Sequence, residues 1–322
     1  MAGQYVLALD IGAGHVSGGL VNRAGKIELA RSMETRGETD GPGLVERLHD
    51  LTAGLLDDGS ATGLSVQGIS IGSPGIVNTD EGVIVAAGNI PELFGAWIGE
   101  RFREAFGLPV LVENDVNALA LGEMLFGVAK GVRNFVVFAL GTDLGGGIVI
   151  DGKLLRGNNF IAAEFGHLTI DLHGQRCFCG GYGCFREYVS GEGLAERARE
   201  SLSAESLALR MVSGDRFRLS AAEVFRSAEK GDVSCRELLE EFGRRFGALV
   251  ANVMKVLDPE LVVLGGEVCR TEPGILNLLV HWTRHYYFPL PELPRFQLSE
   301  FSKSRTILGP AAAFFVEYQE DQ

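Results

Sequence analysis

No stretch of this sequence is both long enough and apolar enough to cross a bilayer as a helix. Cysteine is scarce, and its distribution excludes a disulfide scaffold. The five thiols are Cys177, Cys179, Cys184, Cys235 and Cys269, an odd number with three crowded together. In a reducing compartment, crowded thiols more often mean metal. Basic charge is in deficit: 29 Lys and Arg face 42 Asp and Glu, a formal net charge of −13. A field of that sign repels phosphate backbones and anionic surfaces, so neither nucleic acid nor membrane is an expected partner. A small anionic ligand stays admissible, because backbone N–H groups can ring it locally. A basic leader is also missing. Met1 to Leu9 runs straight into Asp10 and reads as a strand, so a cytoplasmic protein is expected. There is no low-complexity tract, no Walker-type loop, no Ser-His-Asp arrangement and no basic aromatic patch.

What the chain has in plenty is glycine, 44 residues of 322. Two segments look like copies of one device. Val6 to Val21 carries Asp10-Ile-Gly12-Ala-Gly14 and continues to Gly25-Lys26-Ile27. Phe135 to Ile150 carries Gly141-Thr142-Asp-Leu-Gly145-Gly146-Gly and continues to Gly152-Lys153-Leu154. Each reads as a buried strand, a Gly-rich turn, a second strand and a Gly-Lys turn into a third. Each also heads a run of alternating strands and helices, which predicts a duplicated α/β fold with a cleft between halves. Helices are expected over 43–56, 98–106, 116–126, 235–257 and 309–318. Strands are expected over 65–71, 109–112 and 261–264. The 201–215 stretch is the least patterned and reads as an exposed excursion.

Three constellations carry chemistry. The Gly-rich turns let phosphate oxygens approach backbone N–H donors, while Asp10 is a candidate Mg²⁺ ligand through its water shell. Read as plain tight hairpins, the turns need no ligand. Gly265-Gly266 is a third such site, a candidate to face a nucleoside. Asp115, where a strand gives way to a helix, is a candidate general base for a sugar hydroxyl; it would equally serve as that helix's N-cap. His167, Cys177, Cys179 and Cys184 offer four N/S donors, the set of a closed structural Zn²⁺ site. Gly180, Gly181 and Gly183 let the loop wrap tightly. Cys235 and Cys269 read as packing residues. His281 and His285 read as part of a mixed helix face beside Trp282.

The chain resembles the ROK family of sugar kinases and sugar-responsive repressors. The likeness rests on Asp10-Ile-Gly12, Gly72-Ser-Pro-Gly75-Ile-Val, Asn89-Ile-Pro, Glu113-Asn-Asp-Val-Asn-Ala118, Gly141-Thr-x-x-Gly-Gly-Gly147, Glu164-Phe-Gly-His167 and Cys177-x-Cys-Gly-x-x-Gly-Cys184. It implies an actin-like, hexokinase-like, duplicated (ribonuclease H-like) fold whose two lobes close over sugar and ATP·Mg²⁺. The expected lobes are 1–117 plus 305–322, and 118–304 with the zinc loop. The resemblance implies that Asp115 is the general base and that Gly75, Asn89, Asn114, Glu164 and His167 lie at the sugar, with His167 doubling as a zinc ligand. It also implies a homodimer or homotetramer. Family repressors carry a DNA-binding domain before the Asp-Ile-Gly strand; here that strand lies within the first ten residues, so no such arm is expected.

Three positions depart from the family pattern. Ala13-Gly14 stand where the family usually has Gly-Thr, so the turn has lost a hydroxyl that usually assists the phosphates. Asp143 replaces a glycine of the second turn. Arg186 replaces the glutamate of Gly-Cys-x-Glu that binds sugar. The leading expectation is ATP-dependent phosphorylation of a hexose or N-acetylhexosamine. The alternatives are a non-catalytic sugar or nucleotide sensor, or a kinase for an atypical, anionic sugar read by Arg186.

Overall fold

The computed structural model describes residues 4–36, 43–88, 90–288 and 292–318. The chain divides into two compact units. Of the described residues, unit 1 takes those within Met1–Gly131, Lys153–Ala162 and Glu300–Gln322, and unit 2 those within Val132–Gly152 and Ala163–Ser299.

Unit 1 is built on strands β1 (Gln4–Ile11), β2 (His15–Asn22), β3 (Ile27–Glu34), β4 (Ser65–Ser73) and β7 (Val110–Asn114), with the hairpin β5 (Ile76–Asn78) and β6 (Val83–Ala86) beside them. The main sheet runs β3-β2-β1-β4-β7. β1 pairs antiparallel with β2 and parallel with β4, which pairs parallel with β7. A strand buried on both faces must be apolar throughout, and Val6 to Leu9 are all fully buried. Its alternating side chains feed two cores. Leu7, Leu9 and Ile11 pack with Leu48 and Leu55 of α1 (Leu44–Ala61) and Phe102 of α2 (Ile98–Phe106). Val6 and Ala8 pack with Leu121 of α3 (Asp115–Phe126) and Phe314 and Phe315 of α11 (Leu308–Glu317).

Unit 2 repeats the plan. Strands β8 (Phe135–Leu140), β9 (Leu144–Ile150), β11 (Leu261–Gly265) and β12 (Arg295–Leu298) run β9-β8-β11-β12, the order and sense of β2-β1-β4-β7. The duplication read from the two glycine segments is therefore present in the backbone. The helices of unit 2 are α4 (Arg186–Val189), α5 (Gly191–Ser201), α6 (Leu207–Met211), α7 (Ala221–Glu229), α8 (Val233–Leu257), α9 (Glu267–Thr271) and α10 (Ile275–Tyr286), while the two-residue strand β10 (Lys153–Leu154) falls within unit 1. Phe242, Phe246 and Leu249 of α8 meet Phe138 and Leu140 in one core. Cys235 and Cys269 are buried in that core, as expected of packing residues.

Two expectations change. The predicted lobe boundary after residue 117 falls inside α3, yet α3 stays wholly in unit 1. The reason is a close crossing of α3 with α11: a Cβ on Gly122 would come within 3.0 Å of Gly309 Cα. Only glycines permit that approach, and it ties residues 118–131 to the same unit as α11. The 153–162 and 300–304 segments go with them. The 201–215 stretch is no exposed excursion, because Leu202, Ala208, Leu209 and Val212 are buried. Helix α6 is too short to show a period, and polar anchors fix it instead. Asp232 Oδ2 accepts from Ser206 Oγ at 2.8 Å and from the Leu207 N–H at 2.7 Å.

Candidate active site

In unit 1 the candidate residues gather at the carboxyl edge of the parallel strands. Register aligns Asp10 with Gly72, and Gly72 with Glu113, across β1, β4 and β7. Topology thus brings Asp10, the Gly72–Gly75 turn and the Asn114-Asp115 step to one edge, where open α/β sheets bind ligands. Gly75 has φ +95°, and a Cβ there would lie 1.9 Å from the Ala86 carbonyl oxygen, so no other residue fits. Asn89 lies outside the described residues.

The cap of α3 is Asn114, not Asp115. Asn114 Oδ1 accepts from the N–H groups of Val116 and Asn117, both at 2.9 Å, and its Nδ2 donates to the Gly75 carbonyl at 2.9 Å. Asn114 thereby ties the two motifs together. Asp115 occupies the first helical position, half-buried, with Oδ1 accepting from the Val116 N–H at 2.9 Å.

Behind this edge sits Glu113, 1% exposed. It accepts from the Asn114 N–H at 2.9 Å, Asn117 Nδ2 at 3.1 Å and Arg156 Nε at 2.7 Å. A buried carboxylate persists only when paired and hydrogen-bonded, and this one is both. Glu113 stands in the Glu113–Ala118 motif, where the sequence alone assigns it no role. Its signal was an acid placed directly at the end of the apolar strand Val110–Val112. Nothing in the sequence pointed to Arg156.

The first glycine turn is closed by backbone bonds. The Gly12 N–H donates to His15 O at 2.9 Å, Thr35 Oγ1 to Gly12 O at 2.6 Å and the Thr35 N–H to Gly14 O at 3.1 Å. Thr35, also missed in the sequence, braces this turn, in which Ala13 brings no hydroxyl. A Cβ on Gly14 would meet nothing within 4 Å, so this glycine leaves open space rather than packing.

In unit 2 the second turn is closed by the Gly141 N–H donating to Asp143 O at 2.9 Å. Gly141, like Gly14, faces open space. Gly146 does not: a Cβ there would lie 2.3 Å from both Ala163 O and Phe165 Cδ2. Its glycine serves close packing, and so does Gly266, where a Cβ would meet Leu140 O at 2.3 Å. Gly265 ends β11 beside Ala139. The Gly265-Gly266 step therefore braces the strand leading into the turn. The Gly191 N–H at the start of α5 donates to Gly141 O at 2.8 Å, and the Glu192 N–H to Thr142 O at 3.2 Å.

Glu164 precedes and His167 ends a short 3-10 turn, Phe165–His167, anchored by Phe165 packing at a tilt on Phe138 with ring centroids 4.8 Å apart. Burial raises the Glu164 carboxyl above its ordinary range, and the Asp143 charge adds to the shift. Burial lowers His167. His167, Cys177, Cys179 and Cys184 bring one donor atom each within 4.8 Å of one another. His167 Nδ1 lies 3.7 Å from Cys177 Sγ, and Cys179 Sγ lies 3.6 Å from Cys184 Sγ. Donors about 2.0–2.3 Å from a tetrahedral ion stand roughly 3.5–3.8 Å apart, so the donor set and its spacing fit Zn²⁺. The contact through Nδ1 leaves the Nε2 side of the ring directed away from the thiols. Gly183, at φ +62°, would put a Cβ 1.7 Å from Asp171 O, which makes glycine obligatory in the wrap. Burial, with the neighbouring Cys179 and Cys177 thiols, pushes the Cys184 thiol up to about 12.

Arg186 is not directed at open solvent. Its Nε donates to Asp143 Oδ1 at 2.8 Å and its Nη1 to Glu187 Oε1 at 2.7 Å. Its guanidinium lies over the Phe178 ring at 4.4 Å, and that ring meets His167 edge-on at 5.3 Å. Two of the three departures from the family pattern, Asp143 and Arg186, are partners in one ion pair.

Duplicated sheets of this order, each led by a glycine hairpin, define the actin-like, hexokinase-like fold class. The family model described as ROK family matches residues 6–316, and the chain belongs to that family. A glucokinase of Streptomyces coelicolor is 33% identical over 268 residues, 81% of each chain. A glucokinase of Halalkalibacterium halodurans is 28% identical over 328 residues, covering 100% of this chain and 97% of its own. The crystal structure of a ROK family glucokinase from Streptomyces griseus, in complex with glucose and AMPPNP, superposes with a TM-score of 0.82 at 28% identity, over 96% of this chain and 98% of that one.

Proposed function

We propose that this protein is an ATP-dependent sugar kinase that phosphorylates a hydroxyl of a hexose or N-acetylhexosamine. The observation that carries the reading is the single sheet edge holding Asp10, the Gly72–Gly75 turn and Asp115, with Asn114 rather than Asp115 capping the helix. The relatives' names, glucokinases over nearly the whole chain, support the same class.

Phosphoryl transfer depends on positioning and charge neutralisation more than on covalent chemistry. Asp115 takes the proton of the attacking sugar hydroxyl as its oxygen bonds to the γ-phosphorus. The bond from that phosphorus to the bridging oxygen breaks, and ADP leaves with the electron pair. General-base help of this kind is worth about 10²–10⁴ in rate. Asp10 is the residue that would hold Mg²⁺, which supplies charge neutralisation when bound. The glycine turns at Gly12–Gly14 and Gly141–Thr142 would take phosphate oxygens, with Gly145 and Gly146 shaping the second. Glu164 and His167 would meet sugar hydroxyls, Asn114 would hold the Gly75 turn for them, and Asn89 belongs to the same set. The His167, Cys177, Cys179 and Cys184 set would hold a structural Zn²⁺ that fixes the His167 ring. A homodimer or homotetramer and a cytoplasmic location are the companion expectations.

ADP release across a panel of neutral hexoses and N-acetylhexosamines tests the reading. Turnover on at least one sugar is expected, with kcat falling about 10²–10⁴-fold in Asp115→Asn. No turnover on any sugar, with sugar binding retained, would favour the sensor instead.

A further inference from the structure

Asp143 and Arg186 depart from the family pattern in opposite senses. A neutral turn residue has become an anion, and a sugar-binding anion has become a cation. Taken separately, each is awkward. A carboxylate in the second glycine turn repels phosphate, and a lone arginine beside Glu164 and His167 invites an anionic sugar.

The geometry joins them. Arg186 Nε and Asp143 Oδ1 are 2.8 Å apart, with the arginine side chain 13% exposed and the carboxylate 27%. The second prong of the guanidinium is taken by Glu187 Oε1 at 2.7 Å, on a side chain 10% exposed. One face is covered by Phe178. With Nε and Nη1 engaged and one face covered, the guanidinium keeps only Nη2 for a further group and has no complete bidentate fork to offer a substrate carboxylate. Glu187, one residue after the family's sugar-binding position, is likewise committed to Arg186 and is not a displaced sugar ligand.

We propose that Asp143 and Arg186 work as one positioning pair, in which Arg186 shields the Asp143 carboxylate from nucleotide phosphate at the Gly141–Thr142 turn and takes no part in reading a charged sugar. The inference rests on the kinase reading, because it needs phosphate at that turn. It assigns the substrate to the neutral sugars. It also predicts that Asp143 alone is a worse neighbour for nucleotide than both residues or neither.

A double-mutant cycle over Asp143→Gly and Arg186→Ala tests this, read by calorimetry with MgADP and by steady-state kinetics with ATP. Arg186→Ala leaves Asp143 unshielded and weakens MgADP binding about tenfold or more, raising KM for ATP more than it lowers kcat. Asp143→Gly does not weaken MgADP binding. The double variant returns to within about threefold of wild type, the scatter expected of independent sites. Zinc content, measured in every variant, stays at that of wild type. A double variant as weak as Arg186→Ala would overturn the pairing. So would an Arg186→Ala defect confined to KM for a sugar acid. Where Arg186→Ala fails to fold, Asp143→Asn decides: it removes the charge and keeps the shape, so weaker MgADP binding would overturn the proposal. Wild-type protein that binds no MgADP would instead refute the kinase reading itself.

Discussion

The two units carry sheets of the same order and sense, yet they hold their candidate site residues by different means. Unit 1 does it with hydrogen bonds. Asn114 caps α3 and grips Gly75, Glu113 gathers the Asn114 N–H, Asn117 and Arg156, and Thr35 closes the first glycine turn. Unit 2 places Glu164 and His167 beside a glycine-rich loop with little regular structure, crossed by backbone bonds such as Ile170 N–H to Gly183 O at 2.8 Å, in which one histidine and three thiols converge. The same fold, copied, has one edge tied by side-chain hydrogen bonds and one beside a loop that gathers a candidate metal set.

The largest effect should come from breaking that contrast with a chelator. Removing the metal is expected to destabilise the loop by on the order of 10 kcal/mol of local folding free energy. Hydrogen exchange should then show residues 168–188 losing protection while β1, β4 and β7 keep theirs. Metal analysis of protein purified without added zinc should give about one ion per chain. Uniform loss of protection in both units, or a metal-free chain with a stable loop, would remove the contrast.

How far this contrast was legible beforehand differs between the units. The duplication showed in the sequence because the glycine segments stand at topologically equivalent hairpins, each followed by strands that must be apolar to sit inside a sheet. The clustering of His167 with Cys177, Cys179 and Cys184 was legible because thiols crowded in a polar glycine-rich loop have few other uses. The cap on α3 was misplaced by one residue, since Asn114 and Asp115 are both good caps and only the backbone decides between them. The roles of Gly146 and Gly266 were hidden because a glycine that packs and a glycine that leaves room for phosphate are spelled alike. Thr35, Arg156 and the Asp143–Arg186 pair escaped because each acts across a long sequence separation. The pairing of the two departures is a fact about side chains 43 residues apart.

An intermediate effect sharpens the unit 1 side. Arg156→Met leaves Glu113 buried without its cation. Breaking a buried pair costs about 3–5 kcal/mol, and Arg156 is 24% exposed, so the lower end is expected, ~3 kcal/mol. Glu113→Gln paired with Arg156→Met should recover much of that, because the charge left without a partner is gone. Denaturant melts of the two variants measure it. Equal destabilisation by both would mean that Glu113 is held by Asn114, Asn117 and Thr79, whose Oγ1 donates to Glu113 Oε1 at 3.4 Å, without help from Arg156.

The smallest effect belongs to Glu164, and it runs the other way. Burial, aided by Asp143, raises its carboxyl above the ordinary 4.5. A raised carboxyl contributes stability that is fully present below the unfolded value and is lost as pH rises through the folded value. At neutral pH the ionised Glu164 therefore costs stability, so Glu164→Gln should melt slightly higher there, by a few degrees at most. The gain should vanish in acid, where the wild-type carboxyl is protonated too. The same variant should bind sugar less well, the trade expected where a site residue is kept against stability. Melting curves of sugar-free protein at acid and neutral pH, set beside sugar titrations, separate the two effects. A variant less stable than wild type at neutral pH would show that Glu164 is a structural prop of unit 2, and that this edge is better supported by its own side chains than the contrast with unit 1 allows.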